Sequence, residues 1–86
     1  MRKELINAIN NAIENNTEIS VTFDSHRGNA ISWYFIPDAM DLGQDTCIMY
    51  FGTNIITVNL DDVEYDETIC EYICDDGAAV LTISFE

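Results

Sequence analysis

The stretch EISVTFDSHRGNAISWYFIP, residues 18–37, decides the fold because apolar residues recur in it at every second position. This is the period of a half-buried β-strand, and it occurs twice, in EISVTFD and in NAISWYFIP. The polar sequence SHRGN, which contains Gly28, separates the two segments. The stretch therefore predicts a β-hairpin in which Trp33 and Phe35 are buried and Tyr34 points outward.

Upstream of the hairpin, residues 3–15 carry apolar side chains at helical spacing. These residues are Leu5, Ile6, Ala8, Ile9, Ala12 and Ile13. The spacing predicts an amphipathic α-helix that lays one face on the rest of the chain. Asn15, Asn16 and Thr17 follow and are typical of a helix C-terminus, because Asn tolerates the left-handed conformation found there.

Downstream of the hairpin, the sequence predicts two further strands and a bend. Pro37 closes the second strand and opens the loop PDAMDLGQD, because proline lacks the N–H that a β-ladder needs. The segments TCIMYF and IITVNL read as strands joined by a tight turn from Gly52 to Asn54. Before Asp61 and Asp62 the apolar residues Val58 and Leu60 stand at even positions, whereas after them Val63 and Tyr65 stand at odd positions. A bulge or sharp bend is expected between the two sets, because it would bring both to the same face.

The C-terminal part predicts a second hairpin, ETICEYIC and AAVLTISF, joined by DDG with Gly77 suited to a positive φ angle. Residues 68–74 also allow a helical turn, because Ile69 and Ile73 are four apart, but their β-branched side chains favour a strand. We expect residues 1–86 to form one domain of the α+β class. In it, the N-terminal amphipathic helix packs on a curled antiparallel sheet of five or six strands. The element order resembles that of the small Sm-like and SH3-like barrels, which implies closure into a small barrel as the variant of this fold.

Charge is the strongest compositional feature. The 86 residues contain 16 Asp and Glu against three Lys and Arg, a formal net charge of −13, and no Lys or Arg follows Arg27. Such a field repels phosphates and anionic membrane surfaces, so we expect no direct binding to nucleic acid or membranes and a cationic protein as partner. Three cysteines, Cys47, Cys70 and Cys74, in a chain without a recognisable signal peptide predict reduced thiols and a cytoplasmic location.

Catalytic and metal-binding patterns are not found in the sequence. Cys70 and Cys74 are separated by three residues rather than two, so small buried side chains are favoured over a zinc site. Counted from Asp38, the acidic loop has Met49 instead of Glu at the twelfth position of a calcium-binding EF-hand loop, and counted from Asp41 it has Thr46 instead of Gly at the sixth. His26 is interpreted as part of a solvated turn. We therefore expect no enzyme activity, no metal and no cofactor.

The segment LDDVEYDETICEYICDD, residues 60–76, contains eight carboxylates and no basic residue. Alternation after the expected bend points Asp62, Glu64 and Asp66 outward, about 6.8 Å apart. A neighbouring strand adds Glu71, and the hairpin tip adds two more acids. The predicted partner-binding residues are Asp61, Asp62, Glu64, Asp66, Glu67, Glu71, Asp75 and Asp76, together with Asp38, Asp41 and Asp45 of the long loop and the outward Tyr34.

A chain this small, with the acidic run from Asp61 to Asp76 and no basic residue after Arg27, resembles the DNA-mimic inhibitors made by bacteriophages, which include anti-CRISPR and anti-restriction proteins. The resemblance lies in composition and charge pattern. It implies a non-catalytic inhibitor, acting in the host cytoplasm, that occupies the cationic nucleic-acid groove of a defence enzyme such as a CRISPR effector or restriction nuclease. The alternative is an acidic small-barrel subunit of a larger assembly that binds through an apolar sheet edge. The oligomeric state stays open, a homodimer included.

Overall fold

The structure, a computed structural model, describes residues 2–25, 28–75, 77 and 79–85. His26, Arg27 and Asp76 lie outside the described residues. The elements in chain order are α1 Arg2–Asn15, β1 Ile19–Ser25, β2 Ala30–Phe35, β3 Ala39–Leu42, β4 Thr46–Phe51, β5 Asn54–Asn59, β6 Val63–Asp66, β7 Glu71–Asp75 and β8 Ala79–Phe85. Within this part of the chain, no helix has both the length and the apolarity needed to cross a membrane.

Helix α1 is amphipathic, as the spacing of its apolar residues predicts. Its buried face consists of Leu5, Ile9 and Ala12. The helix ends at Asn15, and the φ of Asn16 after it, 52°, lies in the left-handed region. The Thr17 N–H donates to the Ala12 carbonyl at 2.9 Å, and the Asn16 N–H reaches the Ile13 carbonyl at 3.5 Å, which is the bonding pattern of a Schellman motif. The expected helix C-terminus is therefore confirmed.

A five-stranded antiparallel sheet, the large sheet, has the strand order β2-β1-β8-β7-β6. Both predicted hairpins belong to it, and strands β1 and β8 bring the N-terminal and C-terminal hairpins together at its centre. Val21 on β1 lies opposite Ile83 on β8 and Trp33 on β2, so these side chains share the inner face of the sheet. The outer face of the same central strands carries Ser20, Thr22, Thr82 and Ser84, all partly exposed.

A three-stranded sheet, the small sheet, has the order β3-β4-β5. Strands β4 and β5 form the predicted hairpin around Gly52, which has a φ of 58°. Strand β3 lies within the segment that the sequence analysis assigned to a loop after Pro37. That assignment was wrong because residues 39–42 pair with β4, an arrangement between segments that no local pattern in PDAMDLGQD indicates.

The chain passes from the small sheet to the large sheet through a 3₁₀ turn at Leu60–Asp62. Asn59 caps this turn, because its side-chain oxygen accepts a hydrogen bond of 3.0 Å from the Asp61 N–H. The turn explains why the buried positions shift from even to odd residue numbers, since Leu60 at its start and Val63 directly after it are both buried. The predicted bend near Asp61 and Asp62 is thus confirmed as a helical turn.

The core lies between the inner face of the large sheet, helix α1 and the small sheet. Its buried residues include Leu5, Ile9, Ala12, Ile19, Val21, Phe35, Cys47, Met49, Val58, Leu60, Val63, Cys74, Leu81 and Ile83. The α+β class and the helix packed on an antiparallel sheet are confirmed. The predicted sheet of five or six strands is confirmed by the five strands of the large sheet, the small sheet is additional to it, and the barrel variant was wrong. Eight strands form two separate sheets, and in the described residues the edges of the large sheet, β2 and β6, do not pair with each other.

Two predictions of burial were wrong. Trp33 is 39% exposed, because β2 is an edge strand and the core extends over it only at Phe35, whose ring stacks on Phe51 with centroids 3.9 Å apart. Cys70 is exposed because residues 67–70 form a turn and β7 begins at Glu71. The strand interpretation of residues 68–74 therefore holds from Glu71 onward.

Replacing Ile9 by Ala removes a fully buried side chain from the centre of the helix face. We expect the free energy of unfolding to fall by about 2–5 kcal/mol, because the surrounding core cannot close the cavity completely. Urea denaturation followed by circular dichroism measures the change. The matched control is Ile69→Ala, since Ile69 is half exposed in a turn and its truncation should cost less than about 1 kcal/mol. Equal losses in both variants would contradict the packing of α1.

Candidate functional site: an acidic sheet edge

Strands β6 and β7 present a row of carboxylates on the outer face of the large sheet. Glu64 and Asp66 alternate with inward-facing residues on β6, and Glu71 and Asp75 do so on β7. The register places Asp66 directly opposite Glu71. With Asp62, which lies exposed in the preceding 3₁₀ turn, these residues form what we call the acidic edge.

Local hydrogen bonds hold two of these carboxylates in place. Asp66 Oδ1 accepts a bond of 2.9 Å from the Thr68 N–H. Asp75 Oδ1 accepts a bond of the same length from the N–H of Gly77, whose φ of 89° closes the second hairpin as predicted. Both contacts are Asx turns, in which a carboxylate bonds the backbone two residues ahead. The charges at the C-terminal ends of β6 and β7 are therefore positioned by turns rather than by mobile side chains alone.

A shallow depression of about 570 Å³ lies along the acidic edge. Its wall includes the carboxylates Asp61, Asp62, Glu64 and Asp75, with apolar contributions from Val63 and Ile73. The concave shape brings together acids from the 3₁₀ turn, from β6 and from the end of β7. Such a depression can accept the head of an Arg or Lys side chain, which would find several carboxylate acceptors at one place.

Arg2 divides the predicted acids into two groups. Its guanidinium donates to Asp61 Oδ1 and lies 3.6 Å from Asp45 Oδ1. It also donates to the Gln44 carbonyl at 3.1 Å. Asp45 thus joins Asp61 at the N-terminus of α1, where a positive charge offsets both. Asp61 also lines the depression beside Asp62 and Glu64, so this ion-pair group adjoins the acidic edge.

The other two acids of the long loop serve the small sheet. Asp38 Oδ2 accepts a hydrogen bond of 2.8 Å from the Gly52 N–H, which fixes the turn between β4 and β5. Asp41 Oδ2 accepts a bond of 2.9 Å from the Tyr50 hydroxyl, and this bond raises the pKa of Tyr50. These contacts give Asp38 and Asp41 structural partners away from β6 and β7. Glu67 is exposed in the turn that follows Asp66 and extends the acidic edge.

Tyr34 lies on the same outer face as the acidic edge but at the opposite side of the sheet. Strand β2 is four strands from β6, which corresponds to about 19 Å at the usual strand spacing. The structure therefore does not bring Tyr34 together with the acids.

An apolar surface that the sequence analysis did not locate lies on the inner side of β1 and β2. A groove of about 500 Å³ separates these strands from β5, and Phe23, Trp33 and Ile55 are exposed along it. The sequence contained a signal for this surface, because the interval from Gly28 to Pro37 holds no charged residue. Edge strands are usually protected by charge, so an uncharged edge marks a surface open to contact.

The three cysteines lie in different environments. Cys47 is buried in β4, and burial raises the pKa of its thiol to about 11. The Cys74 thiol is buried and donates to the Asn59 carbonyl at 3.2 Å, as expected of a small buried side chain. Cys70 lies in the exposed turn with a φ of 55°. In the described ranges, no three His, Cys, Asp or Glu side chains are grouped so as to hold a metal ion.

Comparison with known proteins finds no family model, curated protein or solved structure that matches this chain. The acidic edge and the apolar groove are therefore interpreted from their own geometry.

Replacing Glu71 by Gln removes one of two like charges that face each other across β6 and β7. We expect the melting temperature at low salt to rise by about 2–4 °C, because directly opposed like charges destabilise a strand pair. The gain should shrink as salt screens the repulsion. The control is Glu18→Gln, which makes the same change at an exposed position between α1 and β1. A fall in melting temperature specific to Glu71→Gln would contradict the register.

The three thiols should differ in reactivity toward a thiol reagent in the folded protein. Cys70 should react at once, whereas Cys47 and Cys74 should react only as the chain unfolds, because both are buried and the Cys47 thiol stays protonated. Mass spectrometry after brief labelling counts the modified thiols. The variant Cys70→Ser should lose the fast reaction entirely. Two or three fast-reacting thiols in the native chain would contradict the packing of β4 and β7.

Proposed function

We propose that this protein is a non-catalytic inhibitor whose acidic edge occupies the cationic, nucleic-acid-binding groove of a partner enzyme. The observation that carries the proposal is the set of carboxylates on paired strands β6 and β7, with Asp66 directly opposite Glu71. The partner we propose is a DNA-binding defence enzyme, such as a CRISPR effector or a restriction nuclease, in the cytoplasm of a host cell.

The spacing of the acids supports this proposal. Outward residues of one strand are about 6.8 Å apart, and neighbouring strands are about 4.8 Å apart. One strand of duplex DNA carries a charge about every 3.4 Å, so two acidic protein strands come within roughly a factor of two of that density. A groove lined with Arg and Lys would meet a comparable number of negative charges in either ligand.

The position of the acidic edge on paired strands also supports a role in binding. Like charges on facing strands oppose folding, and Lys residues between them would relieve the repulsion. Residues 60–76 contain no Lys or Arg, and the Arg2 guanidinium contacts Asp45 and Asp61 at one end of the surface. An ordered strand pair loses less conformational entropy on binding than an acidic tail would, which favours affinity for a groove of fixed shape.

The mechanism of inhibition would be occlusion. Complementary charge accelerates encounter with the cationic groove, and the sheet edge then blocks the path of the nucleic acid. Arg side chains of the partner would enter the depression beside Asp62 and Glu64, where bidentate contacts to carboxylates are strong. No covalent bond is made or broken in this mechanism, so the inhibited enzyme should recover when the inhibitor is removed by high salt.

Immobilised protein should capture a DNA-binding enzyme from bacterial lysate at low ionic strength, and less of it at about 0.15 M salt, because screening weakens contacts between charges. Proteins on the resin are identified by mass spectrometry, purified and retested. Duplex DNA should compete for the capture. The variant Asp62→Asn, Glu64→Gln, Asp66→Asn should bind the enzyme at least tenfold more weakly.

The matched control neutralises three exposed acids outside the acidic edge, Glu14→Gln, Glu18→Gln and Asp24→Asn. This variant has the same net charge as the first and should retain binding. If the two variants lose binding equally, overall charge rather than the acidic edge is responsible. Capture that resists salt, duplex DNA and the first variant would reject nucleic-acid mimicry.

A further inference from the structure

The two edges of the large sheet are chemically opposite. Strand β6 carries Glu64 and Asp66, and such charges discourage pairing with another strand. Strand β2 carries no charged residue, and neither does the whole interval from Gly28 to Pro37. An exposed edge without charge is a surface on which a further strand can add.

The backbone of β2 is oriented for such pairing. In the hairpin, the Ser25 N–H donates to the Asn29 carbonyl at 2.8 Å, so Asn29 directs its backbone toward β1. Alternation along an antiparallel strand then directs the N–H and C=O groups of Ala30, Ser32 and Tyr34 away from β1, toward the open side of the sheet. Six hydrogen-bonding groups are thus presented along one edge.

The side chains of β2 are exposed as well. Ile31 and Trp33 lie on the inner face beyond the reach of the core, and Tyr34 lies on the outer face. Phe23 on β1 and Ile55 on β5 continue the inner apolar surface along the groove. A strand added to β2 would cover side chains on both faces.

We propose that the occupant of this edge is a second copy of the chain, with the two β2 strands paired antiparallel about a two-fold axis at Ser32. A two-fold axis perpendicular to the sheet keeps the inner faces of both copies on one side, so residues of equal parity must face each other. Centring the pair on Ser32 brings together all the outward backbone groups of residues 30–34. It also sets Ile31 opposite Trp33 of the second copy in a non-hydrogen-bonded pair, the type in which the two Cα atoms and their side chains are closer together.

The charge distribution selects a second copy over a cationic partner at this edge. A cationic protein is attracted to the acidic edge and finds no charge to contact on β2. In the two-fold arrangement the two acidic edges lie at opposite ends of a ten-stranded sheet, about 43 Å apart at the usual strand spacing. That distance exceeds the screening length of about 8 Å at physiological salt several-fold, so repulsion between the two acidic edges does not oppose association.

The exposed area suits a dimer of moderate affinity. Aromatic side chains bury about 150–250 Å² each, so Phe23, Trp33 and Tyr34, at 43%, 39% and 67% exposure, offer roughly 300 Å² per copy. Exposed Ile31, Ile36 and Ile55 and the strand backbone add to this. The sum approaches the lower bound of specific interfaces, about 600 Å² per partner. We therefore expect a dissociation constant in the micromolar range.

Sedimentation equilibrium of the full chain over a range of concentrations tests the proposal. The weight-average mass should rise from the chain mass of 9.7 kDa toward twice that value, and the variant Ile31→Lys should weaken the dimer at least tenfold. The matched control Ile69→Lys places the same charge in the turn before β7 and should leave the dimer intact. Circular dichroism verifies that each variant is folded.

A second variant tests the register without disturbing the edge charge. In a Cys70→Ser background, Ser32→Cys should form a disulfide between two copies on mild oxidation, because paired positions at a two-fold axis lie within disulfide distance. Ser20→Cys, on the outer face of β1, should not cross-link. A monomer at all concentrations, or a dimer indifferent to Ile31→Lys, overturns the proposal. In the first case the edge fits a foreign strand instead. Neither outcome bears on the acidic edge, which its own variants test.

Discussion

The 3₁₀ turn at Leu60–Asp62 is the constraint on which both the core and the acidic edge depend. It carries the chain out of the small sheet into the large one, and the Leu60 N–H donates to the Asp45 carbonyl at 2.8 Å, which anchors the start of the turn to the end of the β4–β5 pair. The turn reverses the apolar parity, so that Leu60 and Val63 both enter the core. The same reversal directs Glu64 outward at the start of β6. Packing and surface charge therefore follow from one local geometry.

The large sheet separates its two kinds of surface by its full width. Carboxylates gather on β6 and β7, where turns at Asp66 and Asp75 orient them, and the other edge exposes Trp33 and Tyr34. Four strand spacings keep the charged and apolar edges apart. This separation allows the protein to combine a field that attracts cations with an edge that is neutral enough for strand pairing. One edge can thus be engaged without covering the other.

Local patterns in the sequence were sufficient for the elements whose neighbours in space are also neighbours in the chain. The period of α1, its termination before Asn16, both large-sheet hairpins and the bend before Val63 could be predicted, because capping, alternation and turn chemistry act over a few residues. The acidic character of residues 60–76 and its alternation on β6 were likewise readable. Strand β3 was not, since it exists by pairing with β4 rather than by its own composition.

The sequence by itself determined the α+β class, the amphipathic helix and the concentration of charge, because each follows from residue type and short-range spacing. Only the tertiary structure decided which strands became edges. That choice exposed Trp33, which alternation alone would bury, and set Tyr34 far from the acids. It also paired Asp45 and Asp61 with Arg2. The physical reason is that burial and ion pairing depend on what packs across a strand, and strand order joins segments far apart in the chain.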